Sequence, residues 1–184
     1  MLIMHQHWPG EYVFCPMCGT QLQVREVGPS KKRPACPECS FIHWRNPGVG
    51  AAVLVMDTDR RVLLIQRGPE ASQSGLWAVP AGFVDYGEDI RAAAARELRE
   101  ETGLIAEIGN VVHVASNFDD PHKLTVGVWF SGLVTGGVLA AGDDAVDAVF
   151  FALTDLPELA FPTDGELFAR LAAGELLLPT SSFD

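Results

Sequence analysis

The sequence has no apolar run able to cross a bilayer: its longest uninterrupted stretches, such as residues 51–56, fall far below the ~18 residues of a spanning helix. Its first ten residues hold no basic cluster followed by a long apolar core, so no signal peptide is read there. Cysteine is confined to four positions, and Lys and Arg number 13 against 24 Asp and Glu. With 48% hydrophobic residues in 184, disorder is excluded, and the varied composition excludes collagen-like or low-complexity character. The expectation is a soluble cytoplasmic chain, long enough for one ordinary domain and a small appendage.

Charge is unevenly spread. Residues 1–50 carry a net +2 and residues 51–184 a net −13, so the body of the chain is not expected to coat a nucleic-acid backbone or a membrane. It can hold an anionic substrate if metal cations sit between the two. The composition shifts near residue 46, which suggests a small module over 1–46, a larger domain over 47–175 and a tail over 176–184.

The cysteines form two Cys-Pro-x-Cys pairs, Cys15 with Cys18 and Cys36 with Cys39, separated by 17 residues. That spacing is the one read as a tetrahedral zinc site. Disulfides fit poorly with a chain lacking an export signal, and a redox pair fits less well because the motif occurs twice. Four thiolates leave no open position for water, so the Zn2+ is structural, and a module this small and poor in large apolar side chains needs such a staple. Lys31, Lys32 and Arg33, near Arg25, read as a solvated loop in preference to a nucleic-acid contact.

Residues 82–104 read GFVDYGEDIRAAAARELREETGL. From Glu88 through Glu101 the composition is helix-forming; Ile90, Ala94 and Leu98 make a core-facing stripe, and Gly103 fits a left-handed stop. At ~100° per residue, Glu97, Glu100 and Glu101 fall within a ~100° arc of one face. They crowd the last turns, where the helix dipole disfavours each by ~0.3–1 kcal/mol, and Glu97 and Glu101 repel as an i,i+4 pair. Sequences break local rules in this way at sites. A divalent cation removes the repulsion, and hard oxygen donors select Mg2+ or Mn2+. Arg96, one turn before Glu100, can hold that carboxylate in place. A merely charged solvent face does not explain the glycine and glutamate upstream.

At all nine specified positions this segment matches the Nudix box, G-x5-E-x7-R-E-U-x-E-E-x-G-U, where U is a bulky aliphatic residue. The chain therefore resembles the Nudix hydrolases. The run SGLWAVPAG at 74–82 is similar to the usual approach to the box, and the cysteine module followed by Asn46-Pro47 resembles the zinc-ribbon subgroup, which includes NADH, ADP-ribose and FAD pyrophosphatases. The resemblance implies an α/β class, a Nudix-type α/β/α sandwich on a mixed sheet preceded by a zinc ribbon. Residues 49–56 and 62–66 read as strands joined by a polar hairpin, with later strands at 108–115, 124–133 and 148–153 and a turn at Gly136-Gly137. TDGE at 163–166 reads as a capping box opening a helix to Ala173. The tail is able to pack on the ribbon.

The same resemblance implies that Glu97, Glu100 and Glu101, with the backbone carbonyl of Ala81, hold Mg2+ or Mn2+, and that Glu97 is either a ligand or the general base. Glu88 and Arg96 steady the loop and helix. Asp144 or Asp147, in GDDAVD at 142–147, is a candidate extra acid with a polar turn as the equal alternative. Trp44, Phe118 and Trp129 are able to stack on a base but more often belong to a core; His122 reads as a solvated loop residue, and His5 and His7 lie in a floppy start.

The implied substrate is a small nucleotide, a nucleoside diphosphate linked to another moiety, and a homodimer is expected by analogy. The NADH-type motif S-Q-P-W-P-F-P-x-S is absent from SNFDDPHKL at 116–124, which favours ADP-ribose or FAD over NADH. The alternatives are a triphosphate-sanitising pyrophosphohydrolase and, in another class, a zinc-ribbon adaptor binding nucleic acid or protein.

Overall fold

A computed structural model describes residues 12–29, 31–117 and 123–182; Phe118, His122, His5 and His7 lie outside the described residues. The chain divides into two compact units, Met1–Pro47 and Gly48–Asp184. No helix among the described residues is long and apolar enough to cross a membrane.

In the first unit, β1 (Gln23–Glu26) and β2 (Lys32–Ala35) form an antiparallel hairpin between two turns of the same construction. Cys15 N–H donates to the Thr20 carbonyl at 2.8 Å, and Cys36 N–H to the Phe41 carbonyl at 2.9 Å, so each Cys-Pro-x-Cys is closed by a bond from its first cysteine to the residue five further on.

The second unit is organised by β3 (Gly48–Asp57). Its buried residues alternate between the two faces of the sheet, as a pleat requires. Ala51, Val53 and Val55 pack with Ala93, Ala94 and Leu98 of α1 (Ile90–Thr102). Ala52, Leu54 and Met56 pack with Leu167, Phe168 and Leu171 of α2 (Pro162–Ala172). One helix therefore covers each face, giving the three-layer α/β/α sandwich. The neighbours of β3 make the sheet mixed: β8 (Thr125–Gly137) runs parallel to it, β4 (Arg61–Arg67) and β6 (Ala81–Phe83) antiparallel. β7 (Leu104–Asn117) pairs with β8, while β5 (Trp77–Ala78) and β9 (Ala145–Ala152) both pair with β4.

Several boundaries differ from the sequence reading. α1 starts at Ile90, not Glu88, because the Asp89 side chain caps it by accepting from Arg91 and Ala92 N–H at 2.9 and 3.3 Å. Gly103 does end it, at φ +70, with its N–H on the Arg99 carbonyl. Gly136-Gly137 is not a turn: both residues finish β8 and pair with Ile105 and Leu104, so β7 begins four residues before the expected strand. The capping box at 163–166 does not form. α2 starts at Pro162 with Phe161 as an N-cap that lends no side-chain bond, and Asp164 is spent inside the protein. Within the 176–184 tail, Thr180–Ser181 form β10, which pairs in parallel with Met56 and Asp57 of β3.

Ser181 is buried, and its Oγ accepts the Val134 N–H at 2.9 Å where β8 has left the side of β3. Replacement of Ser181 by Ala strands that donor, at a cost of ~1–3 kcal/mol. Urea unfolding is expected to show that loss, whereas Thr180→Ala, at an exposed position, stays within ~0.5 kcal/mol of wild type.

Candidate functional site

The site begins with one arginine. Arg96 Nε and Nη2 each donate to Glu88 at 2.9 Å, and Nη2 also reaches the Phe83 carbonyl at 3.2 Å. Its Nη1 donates to Glu97 Oε1 at 2.7 Å and to Glu100 Oε2 at 3.0 Å. One guanidinium thus ties the end of β6, the following loop and two acids of α1. The bidentate contact holds the Glu88 carboxyl below its ordinary range, and the three acids together raise the guanidinium further above neutrality.

The acidic face is more buried than the helical wheel suggests. Glu97 is 9% exposed and Glu101 2%, while Glu100 remains partly in solvent. The Glu97 carboxylate lies against the bare backbone of Gly82, where a Cβ would fall 2.1 Å from its Cδ. Burial pushes the Glu97 carboxyl up; Arg96 opposes this, and the charges of Glu100 and Asp143 add to it. Glu101 Oε2 accepts the Ala81 N–H at 2.9 Å. Burial, followed by the charges of Asp144 and Glu97, pushes the Glu101 carboxyl to about 9 despite that bond. Desolvation therefore outweighs the repulsion seen in the sequence.

The segment between β8 and β9 brings further acids. Ala140 and Gly142 N–H cap the Thr102 and Glu101 carbonyls at 3.0 and 3.1 Å, docking this segment on the end of α1. Asp144 then lies 4.0 Å from Arg67 Nη2 and beside Glu101. Asp147 is elsewhere, exposed on β9 with its carboxylate on the Ala148 N–H. Asp143, which the sequence reading did not single out, contributes its charge at Glu97, and its φ of +52 marks the turn that places it there.

The chemistry of this donor set, carboxylate oxygens on one helix face with another acid alongside, fits a hard divalent cation. Arg96 Nη1 stands between two of these oxygens, on Glu97 and Glu100. Among the described residues, the cysteines are the one group of three or more such side chains whose ligand atoms all lie within 4.8 Å of one another. Their thiols are unpaired, with Sγ–Sγ separations of 3.6 Å for Cys15–Cys39, 3.5 Å for Cys18–Cys36 and 3.9 Å for Cys18–Cys39. A disulfide requires about 2.05 Å. The edge of a tetrahedron with Zn–S of ~2.3 Å is about 3.8 Å, which these distances match.

A cleft of about 770 Å³ opens beside the acidic face. Ala81–Phe83 form one side; Gly50, Ala52, Gly127 and Trp129 form the floor; Arg67, Asp144 and the start of α2 close the other sides. Trp129, 7% exposed, is a core residue whose edge reaches the cleft and whose indole N–H donates to Asp164 Oδ1 at 3.0 Å. Trp44 belongs to the first unit, where it is exposed with the Arg33 guanidinium 5.9 Å from its ring centroid. Asp164 is buried and also accepts the Val79 N–H at 3.1 Å; burial lifts its carboxyl to about 6, against the pull of those two donors. The sequence carried a signal for it: positions 164, 167, 168 and 171 form the buried stripe of α2.

The profile of the family described as NUDIX domain matches residues 46–171. An ADP-ribose pyrophosphatase of Methanocaldococcus jannaschii is 43% identical over 108 residues, which cover 58% of this chain and 63% of that protein. A NAD-capped RNA hydrolase NudC of Pseudomonas aeruginosa is 31% identical over 153 residues, covering 83% of this chain and 52% of that protein. The chain thus spans between about half and two thirds of the length of these curated relatives. The crystal structure of a NUDIX hydrolase from Nitrosomonas europaea superposes with a TM-score of 0.76 at 26% identity, covering 94% of this chain and 99% of that one.

Gly82→Ala separates fold from site. The atoms nearest the added methyl are at the far end of the Glu97 side chain, so the unfolding free energy from urea titration is expected to change by less than ~1 kcal/mol. The displaced carboxylate loses its place against β6, and any turnover that depends on it is expected to fall by about 100-fold.

Proposed function

We propose, from the premise that this chain belongs to the NUDIX domain family, that it is a divalent-metal-dependent pyrophosphohydrolase cleaving a nucleoside diphosphate linked to another moiety. The observation that carries this reading is the packing of buried Glu97 and Glu101 against Gly82 and Ala81 of β6, which with Asp144 line a cleft large enough for a nucleotide. Glu97, Glu100, Glu101 and the Ala81 carbonyl would hold Mg2+ or Mn2+. Such an ion would supply positive charge to offset the diphosphate and Lewis acidity to lower the pKa of a water.

The protein's own part is placement. Arg96 and Glu88 fix the loop and helix, and the Ala81 N–H holds Glu101 in register with β6. Glu97 supplies its carboxylate either to the ion or to the proton of the attacking water. The cysteine quartet would hold a structural Zn2+ with no position left for substrate.

ADP-ribose or an FAD-like dinucleotide is the favoured substrate, supported by the 43% identity to an ADP-ribose pyrophosphatase and by the missing NADH-type motif. The NAD-capped RNA hydrolases that align with 83% of the chain favour a second reading, an NAD-linked substrate. One panel with Mg2+ decides among ADP-ribose, FAD, NADH, diadenosine polyphosphates and nucleoside triphosphates. ADP-ribose is expected to yield AMP and ribose 5-phosphate. A ten-fold higher kcat/KM for a triphosphate, a difference of about 1.4 kcal/mol, refutes the substrate assignment.

Glu100→Gln and Glu101→Gln are expected to lose about 100-fold or more in kcat. Both proteins stay folded, and Glu101→Gln keeps the stability of wild type near neutral pH, because the carboxyl it replaces, pushed up to about 9 by burial, is itself uncharged there. Wild-type rates in both variants place the ion elsewhere. Elemental analysis is expected to find about one zinc per chain, lost in Cys15→Ser; a zinc-free wild type with intact thiols refutes the structural zinc.

A further inference from the structure

Asp164 is a buried acid that the proposed chemistry leaves without a role. It sits in the first turn of α2, where an aspartate ordinarily caps the helix, yet the cap residue is Phe161 and the Asp164 side chain points inward. Both of its oxygens are taken by donors from separate sides of the cleft, one in the link between β5 and β6 and one on β8. Oδ2 accepts the Val79 N–H, two residues before Ala81, and Oδ1 accepts the Trp129 indole N–H on β8.

The sheet register explains why this is one bridge. Ala52 of β3 is paired on one side with Ala81 of β6 and on the other with Trp129 of β8. Asp164 therefore spans the central strand at its small residue, joining the side that carries Ala81 to the side that carries Trp129. Val79 is 1% exposed, so its N–H has no access to water and depends on this carboxylate. Ala81 is fastened in turn to Glu101.

We infer that Asp164 is a positioning residue for the proposed reaction, fixing the separation of the Val79–Ala81 and Trp129 sides of the cleft and so the seat of the nucleotide. This rests on the pyrophosphohydrolase reading. It assigns the effect to substrate seating, since Glu97, Glu100 and Arg96 keep their own mutual bonds without Asp164.

The test compares wild type, Asp164→Asn, Trp129→Phe and the double variant, all well below their unfolding midpoints. Asparagine has one carbonyl for two donors, so in Asp164→Asn the KM for ADP-ribose is expected to rise about ten-fold with kcat within about three-fold. The affinity for AMP, measured by calorimetry, falls by the same factor, and the Val79 amide and Trp129 indole proton resonances move upfield. Trp129→Phe also raises KM, and the double variant goes no further than Asp164→Asn, as expected for one shared contact. Unchanged KM and AMP affinity in folded Asp164→Asn reduce Asp164 to a stability residue and overturn the inference. A fall in kcat at constant KM overturns it as well, by moving the effect to the acidic face. Should Asp164→Asn fail to fold, an unchanged KM in Trp129→Phe overturns the inference in its place. A wild-type protein that turns over none of the panel refutes the hydrolase reading instead, and the two failures are thereby distinct.

Discussion

The structure depends on a single strand being covered on both faces and flanked on both edges. Six consecutive residues of β3, from Ala51 to Met56, are at most 3% exposed, and alternate ones face opposite helices. Each fully buried aliphatic side chain is worth ~1.5–3 kcal/mol, so slippage of this strand by one residue would exchange the two sets and misfit both layers. Its edges matter as much. β6 carries the glycine that receives Glu97, and β8 carries Trp129, so the register of β3 with each sets the distance across the cleft.

On that frame the acidic face is a deliberate strain. Two carboxyls are withdrawn from water, their oxygens assigned to one backbone N–H and one guanidinium, and further aspartates are brought alongside by a segment that caps the same helix. The sequence suggested that repulsion and the helix dipole were the main penalties. Burial is the larger one, because Glu101 lies under β6 and not on an open helix face. Stability given up in this way sits where a diphosphate would be handled, and the aliphatic core on either side of β3 absorbs it.

What could be read in advance was local or periodic. The helix of the acidic segment, its glycine stop, the two Cys-Pro-x-Cys turns and the strands flanking the 57–61 turn all follow from spacing within a few residues. What could not be read depends on distant partners. Asp164 meets donors 85 and 35 residues away, and the TDGE string offered a nearer, wrong explanation for it. Asp144 and Asp147 are equivalent as text; only the docking of their segment on α1 separates them. The two residues of β10 are too few for any period to show. Gly136-Gly137 looked like a turn because glycine pairs usually are, yet both remain paired in β8.

Arg96 has a consequence for the order in which the two proposed ion-binding regions would mature. Its Nη1 already lies between Glu97 and Glu100, at 2.7 and 3.0 Å, and so provides a resident positive charge. The polypeptide can therefore assemble its carboxylate face with part of its charge already offset, and an arriving cation would compete with a guanidinium instead of nucleating the fold. The four sulfurs of the first unit are gathered by two backbone turns, and an ion held there would be a building material. On the proposed reading, one chain would combine a metal centre that completes folding with another for which the folded protein is prepared beforehand, and chelation would separate the two by their dependence on history: the first by how the protein was made, the second by what is in the buffer.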